Sequence, residues 1–196
     1  MAKAFKRKGD RFVARLDSLE REVVAGLLEQ TRDFLAPAPR AETGDPFDDL
    51  VASMEVPSFQ EATDPRLEGP RDPALERLLP SAHREDEAVA AEFRRLTEQG
   101  LRERKTANLT TAVDALRDAD GDKVVLSAVQ AQALVVGLTD VRLLLGERLG
   151  LRTDDDADEL AQRLDDADQD DPAMLLAAYY DFMTWLQESL TQSLMS

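Results

Sequence analysis

The chain has 196 residues, with 24 Lys plus Arg against 40 Asp plus Glu, a formal net charge of -16 and no cysteine. That length and a 43% hydrophobic content fit a single folded domain over 1-196. Zero cysteines exclude disulfides, thiolate metal sites and thiol nucleophiles from this chain. No stretch reaches the roughly 20 uninterrupted apolar residues of a membrane span. Lys3, Lys6, Arg7 and Lys8 run into Gly9-Asp10 where a signal peptide needs an apolar core, so the expectation is a soluble cytoplasmic protein with no membrane partner.

Residues 1-16 read as a small N-terminal β-hairpin, two short segments around Gly9-Asp10, a pair suited to a tight reversal. Lys3 to Arg15 carries six basic residues against one Asp, and Arg94 to Lys105 carries five against two Glu. Net negative charge repels phosphates, so a nucleic-acid contact would need such a local exception. Solvated strand and helix faces account for both runs more simply, and nucleic acid is not expected as a partner.

Asp17 with Glu20 forms a capping-box pattern that opens a helix running to about Leu35, with Leu19, Val23, Leu27 and Leu28 on one face. Eight of the nine prolines fall between Pro37 and Pro80, so this stretch cannot be one helix, and 37-72 reads as a Pro-rich acidic loop. Within it, Asp45-Pro46 precedes Phe47, Leu50, Val51 and Met54 at i, i+3, i+4, i+7 spacing, one apolar face of a short helix. That motif either docks onto the protein's own core or is offered to a groove on a partner. Asp72-Pro73 repeats the start signal before Leu75, Leu78 and Leu79, and Pro80 ends the turn.

A long helical pattern begins near Arg84 with Val89, Phe93 and Leu96 inward, and Gly100 makes it one kinked helix or two in sequence up to the turn at Gly121. Val124-Val125-Leu126 suits a brief strand, and Ser127 caps a helix to Leu149. Val129, Ala133, Leu134, Val136, Leu138, Val141, Leu144 and Leu145 nearly encircle that helix, the pattern of a central one. A short helix follows Thr153, and Pro172 at N1 starts a last helix with Leu175, Tyr179, Phe182, Leu186 and Leu190 in line and Trp185 beside them. The expected fold is mainly α, an irregular bundle of about five to seven helices with the hairpin attached.

The sequence offers little chemistry. Neither a phosphate-cradling GxxxxGK[ST] nor a GxGxxG occurs, and His83 is the single histidine, so no catalytic residue, cofactor or metal is assigned. The Asp-x-Asp-x-Asp runs at Asp118, Asp154 and Asp166 lack the Gly and Glu that complete a calcium loop. Asp140 and Arg142 sit mid-way along the most apolar helix, where an unpaired charge is costly, so each needs a partner or a solvent channel. A structural ion pair and a polar patch at a partner interface, shared with Tyr179, Tyr180 and Trp185, both remain open.

Four blocks resemble a known family: Asp72-Pro-Ala-Leu-Glu-Arg-Leu-Leu-Pro80, Ala91-Glu-Phe-Arg-Arg-Leu-Thr-Glu98, Leu138-Thr-Asp-Val-Arg-Leu-Leu-Leu-Gly-Glu-Arg-Leu-Gly150 and Tyr180-Asp-Phe-Met-Thr-Trp-Leu-Gln-Glu-Ser-Leu190. Their order is similar to that of the actinobacterial family called domain of unknown function 2017. The resemblance implies a mostly helical protein whose genes neighbour those of a Clp protease adaptor and of cysteine synthesis. Some members carry transcriptional-regulator or oxidative-stress labels, and the thiol chemistry of the latter cannot transfer to a chain without cysteine.

The family pattern falls on Phe93, Arg94, Asp140, Arg142, Gly146, Arg148, Gln187 and Ser189. Residue chemistry assigns Phe93 and Gly146 to packing and makes Arg94, Asp140, Arg142, Arg148 and Gln187 the candidate polar network or partner site. The resulting expectation is a non-enzymatic cytoplasmic regulator acting through contacts with an unidentified protein partner, for which the resemblance alone suggests transcription machinery or a Clp-related component. A DNA-binding regulator and a small-molecule or metal sensor are the alternatives, and a homodimer is permitted.

Overall fold

The computed structural model describes residues 2–36, 72–80, 87–165 and 171–196, with the side chains of all but 87–96, 154 and 165. The Phe47, Leu50, Val51 and Met54 motif, His83 and the Asp166 run lie outside the described residues.

The N-terminal strands β1 (Lys3–Lys8) and β2 (Arg11–Arg15) pair antiparallel across Gly9, whose φ of +64 a side chain would resist. The expected hairpin is only part of the sheet, because β3 (Lys123–Leu126) joins β2 antiparallel, with Phe12 opposite Leu126 and Arg15 opposite Lys123. Alternation along the strands turns Phe5, Phe12, Ala14, Val124 and Leu126 into the core.

Helix α1 (Ser18–Leu35) starts with the predicted capping box: Glu20 N donates to Asp17 Oδ1, and the Glu20 carboxylate accepts from Asp17 N, both at 2.9 Å. Its buried face differs from the expected one. Val24, Ala25, Leu28 and Leu35 face inward, whereas Leu19 is 73% exposed. Leu16 is buried just before the cap and its N donates to Asp122 O, so the sheet fixes the entry of α1 and thereby which face meets the core.

Helix α2 (Pro73–Leu78) is capped by Asp72, and α3 (Glu87–Arg117) runs unbroken through Gly100. Glycine lowers helix stability by only about 1 kcal/mol, too little to interrupt a helix held by packing further along. The central helix α4 (Ala128–Leu149) has a capping box between Ser127 and Gln130 and stops at Gly150, φ +81. Then come α5 (Asp154–Asp165) and α6 (Pro172–Leu194), the latter capped by Asp171 with Pro172 in its first turn.

Six described helices and one small antiparallel sheet make a mainly α fold. Helix α4 packs against α1, α2, α3 and α6, and α6 also lies against β1. Ala131, Leu134, Leu138, Val141 and Leu145 supply the α4 contribution to the core, each buried Leu adding about 1.5–3 kcal/mol. The helix is central without being enclosed, since Val129 is 70% exposed and Val136 is open as well. On the last helix, too, Leu186 and Leu190 are buried as expected while Leu175 is exposed and Met183 takes the inward place.

Among the described residues, Ala128–Leu149 is the one helix whose length and apolar composition would suffice to cross a membrane. It carries the buried Asp140 and packs on four other helices, which is the setting of a core helix.

Candidate functional site

The polar residues of α4 project toward three different neighbours. At 100° per residue, Asp140 and Arg142 are 200° apart, and Arg148 points elsewhere again. Asp140 faces α3, where its Oδ1 accepts from Lys105 Nζ at 2.5 Å. The aspartate is 1% exposed, and its second oxygen, Oδ2, has no hydrogen-bond partner among the described residues. Burial pushes the Asp140 carboxyl above the ordinary aspartate value, against the opposing hydrogen bond and charge of Lys105.

Arg142 faces α6. Its Nη1 donates to Gln187 Oε1 at 2.6 Å, and its guanidinium lies 5.3 Å from the centre of the Tyr180 ring. Gln187 completes the contact by donating from Nε2 to Thr139 Oγ1 at 2.6 Å and Val135 O at 3.1 Å, both on α4. The buried Arg142 Nε has no hydrogen-bond partner among the described residues.

Arg148 lies at the end of α4, where its Nη2 bonds Asp72 Oδ2 at 2.6 Å and its guanidinium sits 5.9 Å from the Phe34 ring centre. Asp72 thus caps α2 through Oδ1 and pairs through Oδ2, and the hydrogen bond from Arg148 holds its carboxyl below the usual range. The preceding residue, Glu147, takes Arg77 of α2 at 3.1 Å and Arg152 at 2.5 Å. A Cβ at Gly146 would meet the Tyr180 ring and Arg77 at 3.6 and 3.7 Å, ordinary van der Waals distances, so the crossing does not itself require a glycine there.

Of the five polar candidates, then, Arg142 and Gln187 meet each other, while Asp140 and Arg148 hold other helices. Arg94 is on α3, and its side chain lies outside the described residues. Ser189 of the family pattern, buried on α6, accepts from Phe5 N of β1 at 3.3 Å and so joins helix to sheet. Lys105, Asp72 and Tyr180 complete these contacts from 35, 76 and 38 residues away, separations that leave no periodic signal in sequence. The second basic run is partly absorbed in the same way. Arg102 pairs with Glu98 at 2.7 Å, as the i,i+4 spacing predicts, and donates to the Leu35 carbonyl ending α1.

Two shallow hollows lie elsewhere. One of about 350 Å³ is lined by Asp118, Asp120, Lys123, Val125 and Gln130, and one of about 460 Å³ lies between Asn108, Thr111, Val129, Val136 and Leu194. No group of three or more His, Asp or Glu among the described residues could hold a metal ion. Asp156 instead accepts from the backbone N of Arg152 and Thr153, capping α5, and these bonds lower its pKa.

A more open feature is the outer stripe of α6. Leu175 is 55% exposed, Met174 39% and Trp185 37%, and the Phe182 and Trp185 rings stack with centroids 5.9 Å apart.

These features define a mainly α domain whose central helix is clasped by three separate polar contacts and whose last helix presents an apolar stripe. The chain belongs to the family described as Domain of unknown function (DUF2017), whose model matches residues 2–194, the family that the four sequence blocks resemble. No curated protein and no solved structure matches the chain.

Proposed function

We propose that this protein is a non-enzymatic cytoplasmic regulator that acts through protein contacts, with the outer stripe of α6 as its docking surface. The observation that carries the reading is the exposure of Leu175, Met174 and Trp185 on a helix whose other side is embedded in the core. Leu175, Ala178, Phe182 and Trp185 follow i, i+3, i+7, i+10, the spacing with which one helix receives another. A stacked Phe182–Trp185 pair is already ordered, so binding there costs little side-chain entropy, and exposed Trp is a frequent anchor of interfaces.

Charge narrows the partner. Helix α6 has no Lys or Arg, whereas Asp181 and Glu188 are exposed beside the stripe. Complementarity therefore favours an amphipathic helix with basic flanks and disfavours α6 of a second copy. A transcriptional or oxidative-stress setting rests on the family resemblance alone. The non-enzymatic reading is supported by Asp140, whose carboxyl is raised in pKa by burial but is only 1% exposed and so out of a substrate's reach.

A photo-crosslinking residue at Leu175, compared with one at the exposed Glu22 of α1, tests the surface in living cells. Expected is a nuclease-resistant protein adduct from position 175 alone, traced by mass spectrometry to a basic amphipathic helix and lost with Trp185→Ser at unchanged melting temperature. Equal labelling at both positions, or adducts unaffected by Trp185→Ser, overturns it.

A further inference from the structure

We infer that the outer face of the three-stranded sheet binds the phosphate backbone of duplex DNA. Antiparallel register sets Lys3, Arg15 and Lys123 in one row across the sheet and Lys8 beside Arg11 in another, with Lys6 opposite Val13 between them. All six cations are exposed, while the opposite face holds the buried Phe5, Phe12, Ala14, Val124 and Leu126. The grouping depends on tertiary structure at two points. β3 brings Lys123 to strands more than a hundred residues earlier in the chain. An irregularity between Lys3 and Lys6 shifts the register, so that two residues of odd separation share one face.

This arrangement opposes like charges directly at Lys3/Arg15, Arg15/Lys123 and Lys8/Arg11, which weakens strand pairing. Of the six cations only Arg11 has an ion-pair partner among the described residues, the exposed Asp10 at 3.8 Å. Asp120 and Asp122 stand in the turn before β3. A net charge of -16 does not cancel the patch, because charges beyond about 8 Å are screened at physiological salt. An external polyanion would relieve the repulsion that the sheet sustains when free.

Duplex DNA is the occupant that the face favours. Arg11 to Arg15 spans about 13 Å at the usual rise per strand residue. A duplex carries a charge every 1.7 Å or so of its axis and can meet several cations over that length. Single-strand binders stack bases on exposed aromatics, and the aromatic residues of these strands, Phe5 and Phe12, both point inward. The apolar members of the face are Val13 and the 41%-exposed Val125, and the hollow that Val125 and Lys123 help to line is bordered by Asp118 and Asp120, a charged lining ill suited to an apolar peptide side chain. The contacts read backbone charge, so binding is independent of base sequence. This surface is separate from the α6 stripe, and either proposal can fail alone.

The test is fluorescence anisotropy of the full chain with a labelled duplex of about 20 base pairs, titrated with salt. Expected is binding that weakens by about a hundredfold or more between 50 and 200 mM salt, as four to six phosphate contacts require. Lys6→Glu with Arg11→Glu and Arg15→Glu should weaken it at least about tenfold with helicity and melting temperature retained, and Leu175→Ser should leave it unchanged. The single change Arg15→Gln, which relieves two opposed pairs, should raise the melting temperature while weakening binding, and so keeps the test valid if the triple variant misfolds. No binding at 50 mM salt, unchanged affinity in these variants, or displacement of duplex by polyglutamate at equal charge overturns the inference.

Discussion

Lys105 Nζ lies 2.5 Å from Asp140 Oδ1 between α3 and α4, while the other oxygen of the same buried carboxylate has no hydrogen-bond partner among the described residues. Attraction to Lys105 offsets a desolvation penalty that no other group among the described residues relieves. Lys105→Met should therefore cost about 3–5 kcal/mol at neutral pH, since it leaves Asp140 buried and unpaired. Adding Asp140→Leu to that variant should recover most of the loss, because two apolar side chains of similar size need no mutual compensation. Urea denaturation of the two single variants and the double variant measures the coupling, and strict additivity would contradict it.

Acid titration should separate Asp140 from Asp72 by sign. The folded pKa of Asp140 is raised, so its contribution is fully present below the unfolded value of about 3.9 and is lost as pH rises through the folded value. The pKa of Asp72 is lowered by Arg148, so its contribution is present above that unfolded value and is lost as pH falls through the folded one. Stability of the parent relative to Asp140→Asn should fall with rising pH just above 3.9 or so, and relative to Asp72→Asn should fall with acidification below it. Denaturant midpoints across a pH series give both slopes.

Arg142 and Gln187 join α4 to α6 by a charge-assisted bond, so Arg142→Ala and Gln187→Ala should each lower stability by about 1.5–3 kcal/mol. The double variant should lose less than the sum, as expected for two ends of one contact. Unchanged stability in Arg142→Ala with loss of the α6 partner would instead place Arg142 in the docking surface.

Two helical glycines should respond in opposite ways to alanine. Among the described residues nothing lies within 4 Å of where a Gly100 Cβ would stand, so Gly100→Ala should stabilise α3 by about 0.5–1 kcal/mol. At Gly137 a Cβ would stand 2.9 Å from Leu28 Cδ2 and 3.3 Å from Leu109 Cδ2, both on fully buried side chains. Overpacking of about 1–3 kcal/mol there should exceed the gain in helix propensity, and thermal unfolding should show Gly137→Ala below the parent.

Local signals were legible where one short segment decides the outcome. Asp17 with Glu20, Ser127 and Pro172 mark helix starts because caps are formed by residues within a turn of the end itself. Helix faces were less legible. Leu19 and Leu175 fit the apolar periodicity yet lie exposed, because periodicity defines a stripe and packing decides which edge of it is covered. For the candidate polar set, sequence singled out Asp140 and Arg142 by their charge on an apolar helix, and could not tell which partners meet them on the nearly opposite faces they occupy.

By itself the sequence determined a mainly helical chain of the DUF2017 family with no thiol chemistry, since composition, caps and 3.6-residue periodicity are local properties. Tertiary structure alone decided the pairings Lys105–Asp140, Asp72–Arg148 and Arg142–Gln187, and the arrival of Lys123 beside Arg15. Each joins residues tens of positions apart or more, and such contacts form only when helices dock and strands align, with no regular spacing along the chain to announce them.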